Sequence, residues 1–452
     1  MTLTYSSYKN SLISSGFLVP ISEEQAHARK YNVDLYRLKN GALILNSHLK
    51  QNWLFNTEIE ISSFVGAYFD PKNKHGLAHF YEHVMYSDNH IHNLLDKHSV
   101  ENNASTSSST LKSYIKGIYN PEKSKFGMES VYKTWLKNYL HPTHLKNKRA
   151  IDTERQVILT EIHNYYSNFQ NVVWYEFDKL IFDKTNFKRD KILGTKTNLQ
   201  NIKSQDFKSF NKNYIVPKNI AVKLASWGSY SKSKSLVHKI LPIIDLLPNK
   251  GTRSQIDYIK SSKVKKLNNK KIIKIPKDTA KNTAAYGLTW NFKIKRHTAD
   301  EVAFDMFSDF FFPILRLKLR EVANAYTFRH SGDKCYPDNA NLSFHIINNT
   351  DNSDKKLELV KKSALRVLKD IKRNPTKLES YVTLYSQYLK AKVYSPPEVI
   401  NHYYNSYRDF GLITNIDYVV KIQAEPKLDY LMRFVDEMLK TEPVCFMIGD
   451  IK

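Results

Sequence analysis

Cysteine is almost missing from this chain: Cys335 and Cys445 are the two in 452 residues. That excludes a disulfide framework and suits a reducing compartment. Glycine is scarce, at 13 residues, while Lys, Asn, Ile and Tyr are plentiful. Such a bias weakens any argument from composition alone. Acidic residues are also in deficit, 44 against 69 Lys and Arg, leaving a net charge of +25. A surplus of that size suits nucleic acid, an anionic membrane surface or acidic peptides. The lysines are spread along the chain, most densely at Lys263-Val264-Lys265-Lys266 and Lys270-Lys271. No zinc-finger, RRM or KH pattern accompanies them, so the charge reads as solvated surface and no nucleic-acid partner is expected. No apolar run reaches the roughly 18 residues of a membrane span, so no transmembrane segment is expected. The stretch Leu12 to Ile21 is broken by Ser14, Ser15, Gly16 and Pro20, a poor secretory core. No Arg precedes Arg29, unlike a mitochondrial presequence. The expectation is cytoplasmic.

What is present begins with a hydrophobic content of 41%, of which aromatics form a large part. That is globular, and the length suffices for two domains with real cores. One stretch carries chemistry: His75-Gly76-Leu77-Ala78-His79-Phe80-Tyr81-Glu82-His83. It contains a His-x-x-Glu-His, formed by His79, Glu82 and His83. On a helix a spacing of four puts both imidazoles on one face, one turn apart. Two such nitrogens can reach one tetrahedral Zn²⁺ at about 2.0–2.1 Å. Glu82 lies beside that face without having to bind, and so can serve as a general base. The order is the reverse of the His-Glu-x-x-His metallopeptidase signature.

A catalytic zinc needs a third protein ligand. The segment from Arg149 to Ile162 reads as a long helix, with Ile151, Val157, Ile158, Leu159 and Ile162 as its buried stripe. Glu154 and Glu161 stand one heptad apart and share a face of it. With these residues in place the chain resembles the pitrilysin-type (M16, inverzincin) zinc metallopeptidases, in particular the short two-domain members like the mitochondrial processing peptidase. Their pattern is His-x-x-Glu-His with a glutamate well downstream.

The resemblance implies that Glu161 is the third metal ligand, completing one Zn²⁺ per chain with His79 and His83. It makes Glu154 a second acidic residue that supports the catalytic site. Glu101-Asn102-Asn103-Ala104-Ser105-Thr106 matches the family's Asn-Ala-x-Thr stretch, an edge strand beside the zinc. An edge strand offers free N–H and C=O groups to an extended peptide, so Asn103 and Ala104 are expected to bind substrate backbone. Leu319-Arg320-Glu321 to Tyr326 resembles a segment whose Arg and Tyr reach the substrate carbonyl. Arg320 is thereby a substrate-binding candidate and Tyr326 a catalytic one, although the interval is one residue short and the usual glycine is absent.

Along the chain, residues 1–30 read as a loose N-terminal arm. Residues 31–240 form the zinc-bearing domain, opened by a hairpin turn at Lys39-Asn40-Gly41. Residues 241–270 read as a Lys-rich linker containing Pro248 and Gly251. In residues 271–452 the programme of strands and helices repeats without the metal motif. The expected fold is α+β: two homologous M16-type domains, each a mostly antiparallel sheet with helices packed on it, together half of a clamshell. The function implied is a zinc endopeptidase acting on peptides or on leader or targeting segments, as a homodimer or as a heterodimer with a related M16 chain. The alternative is a non-catalytic or regulatory subunit of such a heterodimer.

Overall fold

The computed structural model describes residues 4–49, 56–118, 128–184, 186, 192–227, 230–247, 253–257, 261, 263–265, 270–325 and 327–451. Its strands are β1 (Leu18–Val19), β2 (Val33–Arg37), β3 (Leu43–Leu49), β4 (Asn56–Ser63), β5 (Glu101–Thr106), β6 (Leu111–Ile118) and β7 (Ile220–Trp227) in the first half. The second half has β8 (Lys271–Lys274), β9 (Thr283–Lys293), β10 (Thr327–Cys335), β11 (Asn339–Asn349), β12 (Ile413–Thr414) and β13 (Val444–Gly449).

Two sheets organise all of these strands but β1 and β12. The first runs β2-β3-β7-β4-β6-β5 and the second β8-β13-β9-β11-β10. In the first, β3 lies parallel to β7, and β7, β4, β6 and β5 then pair antiparallel in turn. In the second, β8 lies parallel to β13, and β13, β9, β11 and β10 again pair antiparallel. The halves therefore share one strand order and one pattern of directions, with β2 added to the first. The fold is the α+β arrangement that the sequence led us to expect. Among the described residues, β5 and β10 are edge strands with one unpaired side.

Strand periodicity decides how the sheets are covered. Side chains alternate between faces, and both faces of each sheet are apolar. On the first sheet Ile44, Ile59, Ile61, Val222 and Leu224 join one core with helices of their own half. Leu35, Leu43, Leu45 and Ala221, on the other face, join Tyr403, Tyr404, Tyr407 and Phe410 of the helix Pro396–Phe410. That helix belongs to the second half. The exchange is reciprocated: Val173, Phe177 and Ile181 of the first-half helix Phe169–Ile181 pack on Ala285, Phe446 and Ile448 of the second sheet. Each half thus lends the other a helix, and each sheet is buried on both sides because of it.

Local chemistry makes the turns. Gly41 holds φ +97°, a left-handed conformation that a Cβ would strain, and closes the β2–β3 hairpin. Tyr407 then donates its hydroxyl to the Gly41 carbonyl at 3.2 Å, so the lent helix reads the turn directly.

The N-terminal arm differs from the loose segment read from the sequence. It forms two helices, Tyr5–Ser14 and Ile21–Ala28, joined by β1, which pairs antiparallel with β12. Tyr8, Leu12, Phe17 and Leu18 enter the core shared with the lent helix. Their spacing is too short and too interrupted for a helical stripe to show without its partner surface. Within the Lys-rich connection, the described Arg253 is packed. The Arg253 guanidinium sits over the rings of Phe64 and Tyr407, 5.4 and 4.4 Å from their centroids, and donates to the Tyr407 carbonyl.

The seam between the halves contains one histidine without a partner. His345 on β11 is fully buried beside Trp174 of the exchanged first-half helix, ring centroids 5.0 Å apart, and neither ring nitrogen has a hydrogen bond. Burial, with Arg329 nearby, lowers its pKa to about 3. A histidine depressed in the fold is protonated first in the unfolded chain, so stability falls as pH drops from about 6.5 toward the folded value. Urea denaturation at pH 7 and pH 5 should therefore show a smaller pH loss in His345→Phe than in the parent, by about 2 kcal/mol. An equal loss in both would place the acid sensitivity elsewhere.

Candidate metal centre

The motif lies on the helix Leu77–Tyr86. Four backbone N–H groups at a helix start have no partner within the helix. Here the buried carboxylate of Asp70 accepts from Gly76, Leu77 and Ala78 at 2.7, 3.1 and 2.9 Å. A negative charge at that end also suits the helix dipole. Gly76 is left-handed, φ +94°, and a Cβ on it would lie 2.7 Å from the Leu193 carbonyl oxygen; a Cβ on Gly194 would lie 2.0 Å from that of His75. Two glycines thus let the loop before Thr195 press against the start of the motif helix.

The helix Lys148–Ser167 runs beside it and buries Ile151 and Ile158. Asn147 caps its start, its side-chain oxygen accepting from Ala150 at 3.2 Å. Leu159 and Ile162 are partly buried, as the sequence stripe required, but Val157 is 47% exposed and lines the cavity described below. The apolar stripe is thus narrower than the sequence suggested, because Val157 turns toward open space rather than the sheet. Arg155 ties this helix down: its guanidinium stacks over Phe80, 5.0 Å from the ring centroid, and donates to the Leu199 and Ile202 carbonyls.

Glu154 and Glu161 consequently face the two histidines. The rings of His79 and His83 stand 4.7 Å apart, edge to face. Glu161 Oε2 lies 3.7 Å from His79 Nε2 and 3.6 Å from His83 Nε2, too far for hydrogen bonds. Among the described residues one group of His, Cys, Asp and Glu could hold a metal: His79, His83 and Glu161, with ligand atoms within 4.8 Å of one another. Around an ion at about 2.0–2.1 Å, tetrahedral donors sit about 3.3–3.5 Å apart. The two separations from Glu161, 3.7 and 3.6 Å, are close to that spacing, so the donor set suits a small divalent cation.

The surroundings set the charge of each group. Glu154 Oε2 is 3.1 Å from His83 Nδ1, so His83 turns its other nitrogen toward Glu161. Burial pulls the His83 pKa down, but Glu154, Glu161 and Glu82 outweigh it and hold it at about 9. Burial, then the neighbouring His83, lower His79 to about 4, and its Nδ1 is buried without a partner. The His83 imidazole, then that of His79, keeps Glu161 below the usual carboxylate range against the smaller pull of burial. Glu82 is raised by burial, which a hydrogen bond from the Thr106 hydroxyl and the charge of His83 oppose.

These groups open into a cavity of about 1000 Å³. Its walls include Ala104, Ser105 and Thr106 on edge strand β5, and Tyr165, Tyr166, Tyr175 and Asp178 from two consecutive helices. Asn103 is exposed on the same strand, and its side-chain oxygen accepts from the Ala104 N–H at 2.8 Å. The structure thus brings together His79, Glu82, His83, Glu154, Glu161 and the Asn103–Ala104 strand. It does not bring Arg320 to them: that residue is exposed in the last turn of the helix Ala299–Ala323 and is absent from the cavity wall, which comes wholly from the first half. Tyr326 lies outside the described residues. Sequence reasoning passed over Asp70, Thr106 and Gly194. Thr106 was the fourth position of the Asn-Ala-x-Thr stretch, whereas nothing local marked Asp70 as a cap seven residues ahead of Leu77, where its helix begins.

Residues 58–195, which contain the whole cluster, match the family model described as insulinase, peptidase family M16. Over that segment the chain is similar to the family. Its fold is similar to that of a protease from Helicobacter pylori, with a TM-score of 0.71 at 16% identity over 92% of this chain and 99% of the other. A peptidase M16 inactive domain from Pseudomonas fluorescens gives 0.69 at 14% identity, over 93% and 98%. The periplasmic protease PqqL from Escherichia coli gives 0.70 at 14% identity over 93% of this chain, which spans 48% of that protein. No curated protein matches by sequence. Among the described residues no helix is long and apolar enough to cross a membrane.

If Glu154 fixes the ring of His83, Glu154→Ala should weaken zinc binding by about 10- to 100-fold, as the loss of an outer carboxylate does elsewhere. Competition with a chromogenic chelator measures this, and an unchanged affinity would reduce Glu154 to a surface carboxylate.

Proposed function

We propose that the chain is a zinc endopeptidase that cleaves extended peptides or unfolded leader or targeting segments. The observation that carries this reading is the convergence of two histidine Nε2 atoms and one carboxylate oxygen beside a half-buried Glu82 at the wall of one cavity. His79, His83 and Glu161 would hold the ion. When bound, zinc would supply a Lewis acid that polarises a carbonyl and acidifies water.

The protein groups have distinct tasks. Glu154 holds the His83 ring so that its Nε2 faces the ligand set. Burial raises Glu82 above the usual carboxylate range, which makes it a better proton acceptor, and it would pass that proton on to the leaving amine. Asn103 and Ala104 on β5 would pair with the substrate backbone, which favours extended chain over folded protein. Arg320 and Tyr326 keep a place in the reading only as second-half groups that would have to approach the cavity. As a partner, a second copy or a related M16 chain would complete the enclosure around the peptide. The cytoplasm remains our proposed location, on the cysteine count.

The likeness to an M16 inactive domain favours one second reading, a non-catalytic subunit of a paired peptidase. The two are separated by metal analysis and turnover together. We expect about one zinc per purified chain, lost in His79→Ala and in Glu161→Ala. Glu82→Gln should keep its zinc and lose peptide hydrolysis by at least about 100-fold. A wild-type chain that takes up no zinc even when resupplied would favour the non-catalytic subunit.

A further inference from the structure

The edge strand β5 is tied to the motif helix by two side-chain hydroxyls, one from each side. Thr106 on β5 donates to Glu82 Oε2. Tyr86, in the last turn of the helix, donates to the Asn103 carbonyl at 3.0 Å and also meets the Ser113 hydroxyl on β6. Ser113 is the register partner of Ala104. Tyr86 therefore stands where helix, edge strand and neighbouring strand meet, and Thr106 stands where the edge strand meets the general base.

We infer that Thr106 and Tyr86 are positioning residues that set, respectively, the orientation of the Glu82 carboxylate and the seat of the edge strand that receives substrate. The inference rests on the peptidase reading and deepens it. Glu82 has two oxygens, and a carboxylate that is free to rotate presents either one to the cavity. With Oε2 engaged by Thr106, the other oxygen is the one left for proton transfer. Only a hydroxyl fills this position: valine has the same shape and no donor. Tyr86 acts on a different quantity. By fixing the Asn103 carbonyl and the strand behind it, it holds the backbone against which a peptide would pair, without touching Glu82. The same helix thus carries the proton acceptor and braces the surface that presents the bond to it.

The two ties predict separable kinetic signatures. In the full-length zinc-loaded chain, Thr106→Val should lower kcat about tenfold with KM unchanged, the size expected when a hydrogen bond to a charged group is lost. Thr106→Ser should restore kcat, which a merely structural role for the methyl group would not do. Tyr86→Phe should raise KM severalfold while kcat is kept. Zinc content, measured alongside, should equal wild type in all three. A second arm needs no turnover: in a Glu82→Gln background, the affinity for a fluorescein-labelled unfolded peptide should weaken with Tyr86→Phe and not with Thr106→Val. Unchanged kcat in Thr106→Val, or a loss that serine does not rescue, overturns the role of Thr106. Unchanged KM and affinity in Tyr86→Phe overturns that of Tyr86. A wild-type chain that binds peptide and zinc but hydrolyses nothing sinks the peptidase reading instead, and the binding arm then judges the strand tie by itself.

Discussion

Two helices that are distant in sequence have to bring two imidazoles and two carboxylates together in a partly buried wall, and the rest of the first half is arranged around that demand. Buried charge is costly unless paired. In this site the pairing is internal: Glu154 beside His83, Glu161 between both rings, Thr106 on Glu82. The opposing pKa shifts of His79 and His83 are the electrostatic trace of the crowding. One imidazole is kept neutral by burial and by its neighbour, and the other is kept charged by the carboxylates around it. A divalent cation would take over the role that the His83 proton plays without it.

The precision of such a site depends on features outside it. Asp70 fixes the start of the motif helix through three N–H groups, and the Gly76–Gly194 contact fixes its depth. Arg155 fixes the second helix against the first through Phe80. Behind them, the sheet that supports both helices is covered on its far face by a helix from the other half of the chain. The reciprocal loan of Phe169–Ile181 to the second sheet means that neither half has a complete core alone. A duplicated domain would be expected to stand by itself; this exchange makes the pair one body, and it places Tyr175 and Asp178 of the lent helix at the cavity wall while their neighbours Val173 and Phe177 hold the seam.

How much could be read in advance differs from element to element. The helix around Arg149 to Ile162 and the hairpin at Lys39-Asn40-Gly41 were legible because an apolar stripe at helical spacing and an Asn-Gly turn are local signals. The helices at Tyr5–Ser14, Phe169–Ile181 and Pro396–Phe410 were not assigned. Each buries its apolar side against another half of the molecule, and its pattern gains meaning only once that surface exists. At the site, His79, Glu82 and His83 needed no structure, since four residues are one helical turn. Arg320 was carried over from a segment with a shortened interval, and it ends exposed on the far half.

The sequence by itself determined the local chemistry: a turn of helix with two imidazoles and a carboxylate, a second helix with two glutamates on one side, and two halves rich enough in alternating apolar residues to build two sheets. These follow from short-range geometry, which the backbone imposes whatever surrounds it. Only the tertiary structure decided which glutamate sits between the rings and which behind one of them, which hydroxyls brace the edge strand, and which half supplies the cavity. Those are distances of a few ångströms between residues tens of positions apart, set by how helices pack on a shared sheet, and no spacing along the chain encodes them.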